Sequence, residues 1–177
     1  MQYDRKITIS AGSNRRAMTW QAQTMLISEL WARLQAPARG TETLAAYLNM
    51  KKAQQDDLKD VGGFMAGTLS GPRRKANNVT GRDVITLDLD NIPSGGTEDV
   101  LRRVEALGCG YCIYSTRKHS PAAPRLRVLL PMDRTMTADE YEPCARKMAE
   151  YIGLELMDPT TFEVSRLKIG SASCRER

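Results

Sequence analysis

No stretch of the 177-residue chain is apolar over the roughly 18 residues that a membrane-spanning helix needs. The opening residues, Met1-Gln2-Tyr3-Asp4-Arg5-Lys6, have no apolar signal region behind them. These two absences predict a cytoplasmic protein with no membrane partner. Cysteine is scarce: Cys109, Cys112, Cys144 and Cys174 are the four present. In a chain of this size they do not make a disulfide framework. Cys109-Gly110-Tyr111-Cys112 has Cys-x-x-Cys spacing, but no second pair exists to complete a structural zinc site. We read these thiols as packed at a helix-to-strand junction. Only one histidine is present, His119, so no site built from clustered histidines is possible. No internal repeat is visible.

What remains is 41% hydrophobic and 27% charged, the profile of a soluble globular domain. The formal charge is +5, and the cations cluster at Arg73-Arg74-Lys75, at Arg117-Lys118 and at Arg125/Arg127. Clustered cations point to a polyanion such as nucleic acid or a nucleotide.

Hydrophobic spacing predicts a strand over Lys6–Ser10, then a helix over Trp20–Leu34 with Leu26, Ile27, Leu30, Trp31 and Leu34 on one face. Pro37–Gly40 ends that helix. A second helix is expected from Thr41 to about Leu58. The paired glycines in Asp60-Val61-Gly62-Gly63-Phe64-Met65 suit a close backbone approach to a ligand, or a turn into a strand. Thr97–Leu107 reads as helix and Gly110–Ser115 as strand, a βαβ pattern with the preceding strand. Leu126–Pro131 is a further strand, with Arg125 and Arg127 on one face. Thr137-Ala138-Asp139-Glu140 has capping-box spacing, although Pro143 suggests a later helix start. Leu154–Met157 is expected as a strand that delivers Asp158.

The chain is organised around Val84-Ile85-Thr86-Leu87-Asp88-Leu89-Asp90-Asn91. Strand side chains alternate, so Ile85, Leu87 and Leu89 face a core while Asp88 and Asp90 share the other face. Two carboxylates side by side repel unless a cation sits between them. Oxygen clusters of this kind suit Mg²⁺ or Mn²⁺; two solvated acids at a strand end is the plainer reading. His119 sits in a loop after Ser115-Thr116-Arg117-Lys118, just before Pro124-Arg125-Leu126-Arg127. Imidazole and guanidinium groups both donate to phosphate.

The order of Leu87-Asp88-Leu89-Asp90, Ser115-Thr116-Arg117-Lys118-His119, Pro124-Arg125-Leu126-Arg127 and Met157-Asp158 with Ser165-Arg166-Leu167 resembles the archaeo-eukaryotic primase superfamily, in its phage and prophage primase-polymerase branch. Lys59-Asp60-Val61-Gly62-Gly63-Phe64 is similar to that branch too. The likeness runs from about Ile7 to Leu167. It implies an α/β (α+β) fold: a two-layer core with an N-terminal αβ part over about 1–80 and an RRM-like βαββ sheet over about 81–167. It implies metal-dependent nucleotidyl transfer from NTP or dNTP to a strand growing on single-stranded DNA. Asp88, Asp90 and Asp158 would be catalytic ligands for Mg²⁺ or Mn²⁺, with two ions expected. His119, Ser115, Lys118, Arg125, Arg127 and Arg166 would bind the nucleotide. The Arg73, Arg74 and Lys75 segment would hold template backbone. A replicative helicase is the further partner the resemblance suggests.

Two other readings compete. A DNA-binding replication-initiation module would keep the fold without catalysis. A rolling-circle initiator nuclease would need clustered histidines and a tyrosine nucleophile, and a single histidine argues against it. The last ten residues, Lys168–Arg177, show neither helical nor strand period and closely resemble a translated sequencing adapter. We therefore expect a non-native tail at 168–177 and a fold that lacks strands beyond Leu167. Without those ten residues the net charge falls from +5 to +3, because three cations and one acid leave with them.

Overall fold

A computed structural model describes residues 3–36 and 40–169. The fold is mixed α+β with two antiparallel sheets. The first has the order β2-β1-β3-β8, from β1 (Lys6–Gly12), β2 (Gln21–Leu26), β3 (Gly63–Met65) and β8 (Lys168–Ile169). The second has the order β4-β5-β7-β6, from β4 (Gly67–Leu69), β5 (Val79–Leu89), β6 (Cys112–Ser115) and β7 (Leu126–Met136).

The second sheet is covered on both faces. Ile85, Leu87 and Leu89 pack with α4 (Thr97–Glu105) and α5 (Ala138–Ile152) through Val100, Val104, Tyr141 and Ala145. On the other face Val84, Tyr114 and Leu129 pack against Ile7 and Ile9 of β1 and against Ile27 and Leu30 of α1 (Ile27–Gln35). Strand alternation therefore sends Asp88 toward the N-terminal sheet, where it is 6% exposed. The solvated-acid reading does not hold for it.

The chain passes between sheets at Ala66, which is fully buried. Gly67 follows, and a Cβ there would lie 2.1 Å from the Gly81 carbonyl oxygen, so only glycine allows β4 and β5 to pair at this point. The earlier Gly62 has φ +93° and turns the chain into β3. Of the two uses expected for this glycine pair, the turn into a strand is the one seen.

Several element boundaries differ from the sequence reading. Gln21–Leu26 is a strand, paired with β1 over six residues, and the helix begins only at Ile27. The strand's faces are mostly solvated, so it carries no hydrophobic period to reveal it. The Glu29 side chain accepts from the Leu26 amide at 2.7 Å and fixes the helix start. The expected helix from Thr41 to Leu58 is two, α2 (Leu44–Leu48) and α3 (Lys52–Leu58). Thr43 caps the first, and Gln55 Nε2 donates to the carbonyls of Leu48 (3.3 Å) and Met50 (3.0 Å) at the break.

Strands β5 and β6 are not neighbours, because β7 runs antiparallel between them. The unit is βαββ, and the carboxyl ends of β5 and β6 still lie at one end of the sheet. Helix α5 runs straight through Pro143 from Ala138. Its capping box holds the start, with the Thr137 amide donating to Glu140 at 2.8 Å, and only one interior backbone bond is lost to the proline. Leu154–Leu156 is a 3₁₀ turn, and Met157 makes only an isolated bridge to Leu89. Lys168 and Ile169, read from sequence as part of a foreign tail, pair with Phe64 and Gly63 as β8. Residues 170–177 of that tail, with Cys174, lie outside the described residues, as do residues 37–39.

Candidate functional site

The β5–β7 register sets Asp88 opposite Arg127, and the β6–β7 register sets Tyr114 opposite Arg127. Directly opposed residues share a face, so these three side chains form a row across the sheet. Arg127 Nε donates to Asp88 Oδ1 at 2.5 Å, and Arg127 Nη1 donates to the Tyr114 hydroxyl at 3.1 Å. Just beyond the strand end, Arg125 Nη1 donates to Asp90 Oδ2 at 2.7 Å. Asp158 arrives from the far end of the chain. Its amide donates to the Asp88 carbonyl at 2.9 Å, and the Asp88 amide donates to Thr161 Oγ1 at 2.8 Å. Arg166 Nη2 then donates to Asp158 Oδ2 at 2.9 Å.

One cavity of about 470 Å³ is lined by all three acids and by Arg125, Arg127, Arg166, Lys118 and Arg74. Its volume suits a small ligand of nucleotide size. Ser115 and His119 are not on its lining. Ser115 is the last residue of β6, opposite Leu126. The His119 amide donates to the Thr116 carbonyl (2.9 Å), and its Nδ1 accepts from the Arg125 amide at 3.1 Å. That bond fixes the neutral tautomer with hydrogen on Nε2 and ties the imidazole to the arginine that holds Asp90. Of the basic triplet, Arg73 and Lys75 are exposed while Arg74 turns inward. Arg74 lies over the Trp20 ring at 5.1 Å and donates to the Ser165 carbonyl at 2.5 Å.

Sequence reasoning missed part of this cavity. Arg15, Tyr47 and Lys59 line it from the N-terminal part, and Arg117 joins them. Arg15 and Lys59 lie in polar stretches with no period, so only the tertiary fold reveals them. Lys168 was also missed: its side chain is fully buried, and Nζ donates to Asp88 Oδ2 at 2.7 Å.

Burial works against ionisation of Asp88, but Arg127 and Lys168 override it and hold the carboxyl well below the usual carboxylate range. Asp90 is pushed the other way: burial raises it, Arg125 opposes, and the nearby Asp88 and Asp158 carboxylates raise it further. Lys168 is pushed down to about 7, chiefly by burial, with Asp88 opposing and Arg127 adding to the fall. Arg127 stays charged under all ordinary conditions, since Asp88 outweighs its burial.

The three acids have the donor chemistry of a divalent-cation site but not its spacing. Asp88, Asp90 and Asp158 offer hard oxygens on one cavity, and the upward push on Asp90 from its acidic neighbours is the repulsion such an ion relieves. Each carboxylate is nevertheless already paired with a basic side chain. Among the described residues no three His, Cys, Asp or Glu side chains converge closely enough to hold a metal. Asp88 has both oxygens engaged, by Arg127 and by Lys168.

An antiparallel βαββ sheet that gathers acids and arginines beside one cavity defines the class as a mixed α+β protein. The VapE N-terminal domain model matches residues 1–175, nearly the whole chain, and the chain belongs to that family. The family is that of phage- and plasmid-type VapE-like proteins associated with replication. Neither a curated protein nor a solved structure matches the chain. No helix among the described residues is long and apolar enough to cross a membrane.

Proposed function

We propose that this domain is a primase-polymerase module of phage or mobile-element replication, of the archaeo-eukaryotic primase type. It transfers a nucleotide from NTP or dNTP to a strand growing on single-stranded DNA. One observation carries the reading: Asp158, distant in sequence, is hydrogen-bonded through its backbone to Asp88 and shares one cavity with Asp88, Asp90, Arg125, Arg127 and Arg166. A site of hard carboxylates and forked cations suits phosphoryl chemistry, in which positioning and charge stabilisation do most of the work.

In this reading Asp88, Asp90 and Asp158 would hold Mg²⁺ or Mn²⁺ after their side chains leave their basic partners and draw together. When bound, the metal supplies activation of the attacking 3′-hydroxyl and neutralises charge on the leaving pyrophosphate. The bond from the 3′-oxygen to the α-phosphorus forms as the bond to pyrophosphate breaks. Arg125, Arg127 and Arg166 orient the phosphates, each already fixed by a carboxylate and so losing little freedom when ligand arrives. His119, off the cavity lining, acts through Arg125, whose amide it holds. The deciding experiment is primer synthesis on single-stranded DNA with Mn²⁺ and with Mg²⁺. Asp90→Asn and Asp158→Asn should each abolish it, and wild-type rates in both variants would refute the assignment.

A second reading has an observation of its own. Asp88, Asp90 and Asp158 are each paired with a cation from the same chain, Asp88 with Arg127, Lys168 and, at 3.9 Å, Arg166. Acids that serve only to anchor arginines would leave a non-catalytic module that binds single-stranded DNA in replication initiation. Tight strand binding with no incorporation under either metal would favour it.

A further inference from the structure

Residues 42–60 carry α2 and α3 and supply one wall of the cavity through Tyr47 and Lys59. The segment is tied to itself. The Tyr47 hydroxyl donates to the Gln55 carbonyl at 3.1 Å, and Gln55 Nε2 closes the turn between the two helices. Apolar burial does not tie it to the body of the fold. Among the described residues, no side chain of the segment belongs to either buried apolar cluster. Tyr47 and Gln55 are its buried residues, and Leu44 and Leu48 face solvent. Two arginines make the ion pairs that join it to the rest of the described fold. Arg117, in the loop after β6, meets Glu42 at 2.6 Å, lies over the Tyr47 ring at 4.6 Å and donates to the Leu58 carbonyl at 3.5 Å. Arg15, in the loop after β1, lies 3.3 Å from Asp57 and 3.6 Å from both Asp56 and Asp60, and its amide donates to Asp60 Oδ1 at 2.7 Å.

We propose that residues 42–60 form a lid on one side of the cavity, which swings as one body and is latched in place by Arg15 and Arg117. That the lid passes a nucleotide rests on the nucleotide-transfer reading; the swing itself does not. A segment that buries a large apolar face opens only when the whole chain unfolds. A segment held by part-exposed ion pairs loses little by leaving them, so it opens by itself. The hydrogen bonds between α2 and α3 survive the opening, because both partners travel together. Gly62-Gly63 follows the segment, and small residues at the end of a moving element absorb the change in backbone angles. The latch acids Glu42, Asp56, Asp57 and Asp60 are off the cavity lining. They can therefore be changed without removing a group that a ligand in the cavity touches.

The test is amide hydrogen exchange, read by mass spectrometry on the full chain and on Glu42→Gln and Asp60→Asn, with the β5 and β7 amides as the internal standard for folding. In the wild type, α2 and α3 should exchange at least about tenfold faster than β5. Glu42 lies before α2 and Asp60 after α3. Each variant should nevertheless speed both helices, about fivefold, and leave β5 and β7 unchanged. Speeding confined to the nearer helix is local fraying and overturns the proposal, as does a wild type in which α2 and α3 exchange at the β5 rate. A second readout is the release rate of a fluorescent nucleoside triphosphate, followed by stopped flow. By charge alone, losing an acid near the cavity slows the release of an anion. A freed lid quickens it, by about fivefold in each variant. Slower or unchanged release overturns the lid as a gate. The nucleotide-transfer reading fails separately: a chain that does not bind the probe loses that reading, while the exchange rates still decide the lid.

Discussion

The two linings of the cavity use the same residue types in opposite ways. On the strand ends each cation meets an acid inside the cavity, and the charges cancel where a ligand would sit. On the side built by α3 and the loop after β6, the paired acids lie off the cavity lining, and Lys118 has no ion pair among the described residues. The difference teaches that counting charges along the sequence says little about a site. What matters is which member of each ion pair faces the cavity.

The sharpest way to break this contrast is to remove an acid from the strand ends. Asp90→Asn, at a half-exposed position, should lower incorporation by about 10²-fold or more while leaving the thermal midpoint nearly unchanged. Asp88→Ala is a different experiment. It strips the carboxylate from buried Arg127 and Lys168 and should cost about 3–5 kcal/mol of stability, measured by denaturant unfolding. An unchanged midpoint would show that the Arg127–Asp88–Lys168 cluster contributes nothing to the fold.

Lys168→Met sharpens the comparison from the other direction. It frees Asp88 Oδ2, so Mn²⁺ binding, followed by electron paramagnetic resonance, should tighten about tenfold. No change in Mn²⁺ affinity would mean that Asp88 is not a metal ligand. The same lysine makes a pH prediction. Its folded value is about 7 against 10.5 when unfolded, so between those values the unfolded chain binds the extra proton and stability rises with pH. Lys118 is lowered as well and adds the same sign. Urea midpoints should therefore increase from pH 7 to 9 in the wild type, and less steeply in Lys168→Met.

Smaller effects follow. His119→Ala removes the Nδ1 acceptor that holds the Arg125 amide and should raise the apparent KM for nucleotide about three- to tenfold with kcat little changed. Arg73→Ala and Lys75→Ala, both exposed, should weaken single-strand binding by less than about 1 kcal/mol each, and that loss should fade as salt is raised. A salt-independent loss would show a specific contact instead.

Much of the architecture is legible in the residues. The alternation in Ile85, Leu87 and Leu89, the capping box at Thr137–Glu140 and the apolar stripe of Thr97–Leu107 give β5, α5 and α4. These elements bury one regular face each, and burial of a face imposes a period. Gln21–Leu26 shows no strand period because its faces are wet, so the helix begins later than the spacing predicts. Of the residues singled out for the site, those in the ladder between β5 and β7 follow from register alone once the strands pair. Arg15, Tyr47 and Lys59 do not, because nothing local distinguishes an inward cation from an outward one. Lys168 was set aside with a stretch that lacks any period, yet it is buried against Asp88.

Local pattern is enough for the mixed α+β class, the strand that carries Asp88 and Asp90, and the alternation that sends both to one face. Those features depend on neighbours within a few residues, through backbone geometry and hydrophobic period. Long-range packing brings Asp158 to them, sets β7 between β5 and β6, and gives each acid its cation. Those outcomes depend on contacts between distant segments, where burial and charge pairing, not local spacing, choose the partner.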